Sequence, residues 1–586
     1  MRERILDAIY KKLEENPEDE NLQRQIVLLN KSNICTIDSF CLDVIRNNFF
    51  EIDVSANARV ADGTEILILK QEILDDLFEE KYVSEDAGFI SLINTYTHYN
   101  KDEELKDLIL KIYSYIQASP FPEDWLEESI AKLKVDRNEN FSDTQWGKFI
   151  ISKVNENLEN GILKLKNIKS KIDIFQDMDK YSNILSMDIA GICEVKNSLS
   201  DWNKACEKLG ALNFKTWPAD KKITNEYKDE AKEIRNSVKE EIKKIKSLLI
   251  TDSKEANEEI LYMHDILEKL KNLILEFSKK FYDAKREKNI MDFNDMEHLA
   301  LNILVKKDEN GNIIKTEVAK KYEEKFEEIA IDEYQDSNLV QEYILTSIST
   351  GNNIFMVGDV KQSIYKFRQA RPQLFLEKYN TYLLDPNEKE DRKIKLFKNF
   401  RSRRNILDFT NLVFENLMSE ELGEINYDIE EYLNLGANYP EIEQNLITEA
   451  YVIETSEEEV SAWKDEEVVT EESDDKPEDV VLEARFVAQK IKELMESKFK
   501  VSNKDGSTRD IMYRDIAILL RSTSGTAGIY EKELSDFGIP VYSENSGEYL
   551  QSTEIETIMA LLKIINNPMQ DIPLVTVMRS PIGNFT

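Results

Sequence analysis

The residues of this chain best suited to chemistry lie between Ile329 and Arg371, in the run IAIDEYQDSNLVQEYILTSISTGNNIFMVGDVKQSIYKFRQAR. Two carboxylates, Asp332 and Glu333, close a short apolar run, Ile329 to Ile331. A carboxylate at a strand end can hold a magnesium ion beside a nucleotide phosphate, which makes Asp332 the candidate metal ligand. Glu333, one residue on, is placed to orient or deprotonate an attacking water. A second apolar run, Ile354 to Val357, ends in Gly358 and Asp359 and leads to Gln362, a neutral donor suited to a γ-phosphate. Tyr365 and Phe367 follow, interleaved with Lys366 and Arg368. That is the composition of a base-stacking platform with phosphate contacts. Each piece alone has a plainer reading. DEYQD fits an acidic strand-to-helix turn, and single aromatics most often fill a core. Their occurrence together at one edge favours the site.

Two strands and a helix must position these residues. The apolar runs read as strands, and Leu339 to Ile348 between them reads as a helix. That is one βαβ unit of a parallel sheet, in which chemistry sits beyond the carboxyl ends of the strands. The fold class is therefore α/β.

IDEYQD, then GDVKQSIYKFRQA, then LFKNFRS at Leu396 to Ser402 resemble motifs II, III and IV of superfamily 1A DNA helicases, the UvrD/Rep/PcrA group. TIDSFCLDVIRNNF (Thr36 to Phe49) and NNPMQDIPLVTVMRSPI (Asn566 to Ile582) resemble the AddA-type subunits of RecBCD-like ATP-dependent helicase/nucleases. The resemblance covers the chain, most weakly in its helical middle third. It implies a RecA-like, P-loop-type parallel sheet, a large helical insertion and the start of a second RecA-like domain. It also implies ATP and Mg2+, an AddB-type partner, and single-stranded DNA and DNA ends as substrates. Asp332, Glu333, Gln362 and Arg401 would handle ATP. Thr36, Ser39, Phe40, Tyr365, Phe367 and Arg368 would meet DNA. Relatives often carry His where this chain has Asp38.

Composition bears on the same question. The net charge of −37 over 586 residues argues against steering toward DNA, because nucleic-acid binding rests on Lys and Arg. The charge is uneven, though. Glu457 to Asp479 holds twelve acids against two lysines, whereas Lys361, Lys366, Arg368 and Arg371 gather in one motif and Lys398, Arg401, Arg403 and Arg404 in another. The four cysteines show no C-x-x-C spacing and there are three histidines. Zinc, iron–sulfur and histidine-triad chemistry are unsupported, and reduced thiols point to a cytoplasmic protein. No signal peptide or membrane-length apolar run appears.

Taken in order, residues 1–61 are expected to hold a helical hairpin turning at Asn16-Pro17 and part of a first motor domain. Thr36 to Phe40 reads as a strand end, with Asp38 or Ser39 capping the next helix. Residues 62–286 read as a helical insertion, with Trp125, Trp146, Trp202 and Trp217 packing between helices. Residues 287–393 return to the motor domain, with Asp292, Phe293 and Asp295 at a helix start. Residues 394–552 begin a second motor domain. There Ile394 to Phe400 reads as a strand and Arg403 to Met418 as a helix capped by Ser402, turning Ile406, Phe409, Val413, Phe414 and Leu417 inward. Arg401 suits a bidentate phosphate contact, although a structural ion pair fits it as well. Further strands are expected at Ala450 to Glu454, Asp515 to Leu520 and Ile539 to Tyr542, a helix at Val481 to Met495, and a flexible acidic loop over 455–480. Residues 553–586 begin another helical domain.

No G-x-x-x-x-G-K-[ST] occurs in the sequence. In the family that loop precedes a segment like MRERI, so the chain is expected to be an interior fragment of a 3′-to-5′ DNA helicase/nuclease subunit of double-strand-break repair. Alone it would hydrolyse ATP poorly or not at all. The alternatives are a non-catalytic DNA- or partner-binding remnant of such a helicase, and an acidic helical scaffold without a nucleic-acid role.

Overall fold

The computed structural model describes residues 2–585 apart from 30–31, 53, 56, 99–100, 220–226, 386, 388–389, 443, 445, 454–478, 504–505, 524 and 544–551. The acidic run therefore lies almost wholly outside the described residues. The chain divides into two compact units, Met1–Lys393 and Ile394–Thr586.

The first unit opens with the helices Arg2–Glu15 and Glu20–Leu29, separated at Asn16-Pro17. The next helix corrects an expectation. Thr36 is its cap, with no strand before it: the Thr36 backbone is extended, its Oγ1 accepts from Ser39 N–H at 3.3 Å, and the helix runs Ile37–Asn47. Asp38 and Ser39 fall inside the first turn, where neither can cap. The long helical stretch follows, from Gly63–Val83 to the 35-residue helix Ser253–Glu287. It packs around two cores. One gathers Leu77, Phe78, Ile109, Phe277 and Phe281; the other gathers Val154, Leu158, Tyr181 and Trp202. Trp125, Trp146, Trp202 and Trp217 all pack in or against these cores. In the second core Arg235 is buried with Asp188 at 2.6 Å, its guanidinium 5.5 and 5.4 Å from the ring centres of Phe214 and Trp217.

The chain then returns through a short parallel pair, Arg59–Val60 beside Ile290–Met291. Asp292 caps the helix Phe293–Leu304 in a reciprocal box with Asp295. The expected βαβ unit is present. Ile329–Ile331 and Ile354–Met356 pair in parallel, with Ile329 opposite Ile354, around the helix Leu339–Ser347. Phe40, Val44, Leu301, Ile331, Tyr334 and Ile344 fill the core behind it. Among the described residues every ladder has two strands, so the continuous sheet is not seen.

The second unit departs further from expectation. Only Lys398–Asn399 of Ile394 to Phe400 is in a ladder, parallel to Asn434–Leu435. Ser402 does not cap a helix, because its N–H and that of Arg401 both donate to Asn399 Oδ1 at 2.9 Å, and the turn carries the helix start to Arg404. On Arg404–Leu417 the buried residues are Leu407 and Asn411, whereas Ile406, Phe409, Phe414 and Leu417 are exposed. Asn411 is drawn inward because its Oδ1 accepts from Tyr427 at 2.6 Å and from Leu433 N–H at 2.9 Å. The helix Asp479–Glu496 is as expected. Described residues 450–453, 516–520 and 539–542 form no ladder. Ile516, Ile518 and Leu520 still pack on Ala484, Ala488 and Leu534, so their alternation set a side-chain face without a strand partner. A hairpin of Lys500–Ser502 and Thr508–Asp510 was not anticipated, although Asp505-Gly506 carried its turn signal. Two helices, Thr553–Asn566 and Asp571–Arg579, close the unit.

Candidate functional site

The parallel pair is zipped shut at its carboxyl end. Val357 N–H donates to the Ile331 carbonyl at 2.8 Å, and Tyr334 N–H donates back to the Val357 carbonyl at 2.9 Å. A regular parallel ladder would take the second bond from Glu333, so one extra residue is accommodated here. Glu333 takes the left-handed conformation, φ 51° and ψ 42°, which costs a non-glycine residue about 1–3 kcal/mol. The cost is met by what flanks it. Tyr334 is fully buried, with its hydroxyl on Glu342 and on Lys378 Nζ, and Gln335 is 1% exposed. Asp332 and Glu333 are left exposed beyond the strand end.

A line of amide and carboxylate contacts joins the two strand ends. Gln335 Nε2 donates to Glu333 Oε2 at 2.7 Å, and its Oε1 accepts from Asp359 N–H at 3.0 Å. Asp359 Oδ1 accepts from Lys361 N–H at 3.1 Å, and its Oδ2 accepts from Gln362 Nε2 at 3.0 Å. Gly358 is needed for this approach, since a Cβ there would stand 2.5 Å from Gln335 Oε1. The structure thus brings Glu333 and Gln362 into one network. Asp336 lies beside it, its carboxyl raised by burial and by the charge of Glu333.

Asp332 Oδ1 accepts from Glu333 N–H at 3.1 Å. Among the described residues no group of three or more acidic, histidine or cysteine side chains converges as a metal cage. A single exposed carboxylate fits magnesium, which keeps several waters and takes one or two carboxylates beside substrate phosphates.

Three residues past Gln362 the platform begins. Tyr365 and Phe367 lie 5.9 Å apart at 45°, and the Arg368 guanidinium sits 5.1 and 5.6 Å from their ring centres. Phe367 is 73% exposed and Tyr365 36%. Open aromatic faces beside a cation suit unpaired bases and their phosphates.

The upstream candidates separate. Thr36 and Ser39 are exposed, their hydroxyls 2.9 Å apart. Phe40 is buried against Tyr322 and Phe326, at 5.9 and 6.1 Å, so it presents no ring to a ligand and anchors its helix instead. Burial pushes the Asp38 carboxyl up. In the second unit Arg401 is exposed on the turn held by Asn399, and its carbonyl accepts from the Tyr439 hydroxyl. Arg403 lies over the Tyr439 ring at 4.8 Å and donates to the Pro440 carbonyl at 3.1 Å and Ser502 Oγ at 2.6 Å. The linking roles of Gln335 and Asp359 were missed in the sequence, where the glycine before Asp359 was the one signal of a close approach.

Paired strand ends that present carboxylates to solvent are how nucleotide-hydrolysing α/β proteins expose their chemistry. Comparison with known proteins gives the family. Residues 1–383 match the UvrD/REP helicase N-terminal domain and residues 394–586 the UvrD-like helicase C-terminal domain. The chain belongs to the UvrD-like helicase family. It is similar over its whole length to the AddA proteins of the ATP-dependent helicase/nuclease from Clostridioides difficile strain 630 (41% identical), Clostridium kluyveri (42%) and Thermoanaerobacter sp. strain X514 (43%). It spans about half the length of these relatives, 48 to 49%.

Proposed function

We propose that this chain belongs to an AddA-type, ATP-dependent 3′-to-5′ DNA helicase/nuclease subunit that unwinds and processes DNA ends in recombinational double-strand-break repair. The observation that carries the reading is the Glu333–Gln335–Asp359–Gln362 network, three residues from an exposed aromatic–arginine platform. In this reading residues 1–61 and 287–393 form a RecA-like motor domain interrupted by the insertion 62–286. Residues 394–552 belong to a second motor domain and 553–586 to its helical insertion. The partners are single-stranded DNA, DNA ends and an AddB-type protein, in the cytoplasm.

Each residue then has a role. Asp332 holds magnesium, which when bound would offset charge developing on the phosphate oxygens. Glu333 takes the proton of the attacking water, held in place by Gln335. Gln362 and Arg401 read the γ-phosphate. Tyr365 and Phe367 stack on bases while Arg368 meets a phosphate. Thr36 and Ser39 offer hydroxyls to the backbone of the strand, and Phe40 fixes the helix that carries them.

The second reading is a non-catalytic DNA- or partner-binding remnant of such a helicase. The native mass separates the two. An antibody to this region should detect a polypeptide well above 68.3 kDa in the source cells; a product of 68.3 kDa favours the remnant.

A further inference from the structure

We infer that Glu297 is a positioning residue for the Asp332–Glu333 turn, a role that rests on the nucleotide reading of that turn. Glu297 stands on the helix Phe293–Leu304 and is buried. Its Oε1 accepts from Gln341 Nε2 at 2.7 Å, and its Oε2 accepts from Asn338 Nδ2 at 3.2 Å. Those two donors are the two halves of the capping box that starts the helix Leu339–Ser347. Asn338 Oδ1 accepts from Gln341 N–H at 2.8 Å, and Gln341 Oε1 accepts from Asn338 N–H at 3.4 Å. One carboxylate 41 and 44 residues upstream therefore orients both side-chain amides at the point where the chain leaves the turn.

The post on which Glu297 stands is itself fixed. Lys285 Nζ reaches Asp292 at 3.1 Å and Asp295 at 2.6 Å at the start of that helix, and His298 Nε2–H donates to the Gln117 carbonyl at 2.8 Å. The helix after the turn is also held on its other side, where Lys378 Nζ bonds Glu342 at 2.8 Å and Tyr334 at 2.6 Å. The Asp332–Asp336 turn is thus suspended between a ladder and a helix start whose pitch Glu297 sets. Glu297 acts through Asn338 and Gln341.

A glutamine at 297 keeps the shape but turns an NH2 toward one of two NH2 donors, so one contact is lost. Exchanging the partners, Glu297→Gln with Gln341→Glu, restores donor to acceptor and leaves an acceptor for the capping box. The test is amide hydrogen exchange of the full chain, read at Asp336 and Ser337, whose N–H groups are bonded within the turn, and at Tyr334, whose N–H is bonded to the Val357 carbonyl of the facing strand. Glu297→Gln should speed exchange there about tenfold, and the exchanged pair should bring it back near the parent rate, with the distant helix Tyr227–Lys246 unchanged throughout. Unchanged exchange in the single variant, or acceleration that the exchanged pair fails to reverse, overturns the proposal. The nucleotide reading is judged separately by Glu333→Gln, which leaves the Glu297 contacts intact.

Discussion

Gln335 Nε2 donates to Glu333 Oε2 at 2.7 Å, and this bond ties a buried amide to an exposed carboxylate held in a left-handed backbone. Because Gln335 Oε1 also receives Asp359 N–H, the amide can point only one way round. The carboxylate proposed as the base is therefore oriented by the register of two strands.

Gln335→Ala should leave the half-buried Asp359 N–H without its acceptor and free the Glu333 side chain. The expected cost is about 1–3 kcal/mol of stability in urea unfolding, and ATP turnover in the native protein should fall with it. Gly358→Ala should have a similar effect, since its Cβ would meet the same amide.

Phe367→Ala should weaken binding to a single-stranded oligonucleotide by about 1–3 kcal/mol, measured by fluorescence anisotropy. Stability should hardly change, because the ring is largely exposed. Arg368→Ala should weaken binding too and flatten its salt dependence, by removing a phosphate contact.

Arg235→Met should destabilise the helical insertion by about 3–5 kcal/mol, because it leaves the Asp188 carboxylate buried without a partner. Burial already raises the Asp188 carboxyl, with Arg235 opposing that shift. Changing both residues, Arg235→Met with Asp188→Leu, should recover most of the loss in urea unfolding.

His298 gives a pH dependence with a definite sign. Burial is the largest cause lowering its pKa from 6.5, against its hydrogen bond to Gln117 and the nearby acids. As pH falls below 6.5 the unfolded chain takes up the proton first. The stabilisation is therefore present above about 6.5 and is lost, by at most about 1.4 kcal/mol per pH unit, until the lower folded pKa is passed. His298→Gln keeps a donor for the Gln117 carbonyl, and its urea midpoint should vary less between pH 7.5 and 5.5 than that of the parent.

The βαβ unit was legible because two apolar runs ended in carboxylates on either side of a helix-period segment. The Asp292–Asp295 box and the packing role of the tryptophans were legible for the same local reason. Where competing caps stood side by side, pattern chose wrongly: Thr36 took the role assigned to Asp38 or Ser39, and the Asn399 turn removed it from Ser402. The face of Arg404–Leu417 was misread because Asn411 is satisfied inside by Tyr427 and Leu433, distant contacts that no hydrophobic period reports. Phe40 looked like a site residue by its motif, yet its ring completes a core cluster with Tyr322 and Phe326, hundreds of residues on. Gln335 and Glu297 act across strand and helix partners, so only the folded register shows what they hold.

The most direct test of the central claim is ATP hydrolysis by the native-length polypeptide, with and without single-stranded DNA, in the parent and in Glu333→Gln. The glutamine can still accept from Gln335 but cannot take a proton from water. Turnover should fall about 10²- to 10⁴-fold with single-strand affinity unchanged. DNA-stimulated turnover that survives the substitution would contradict it.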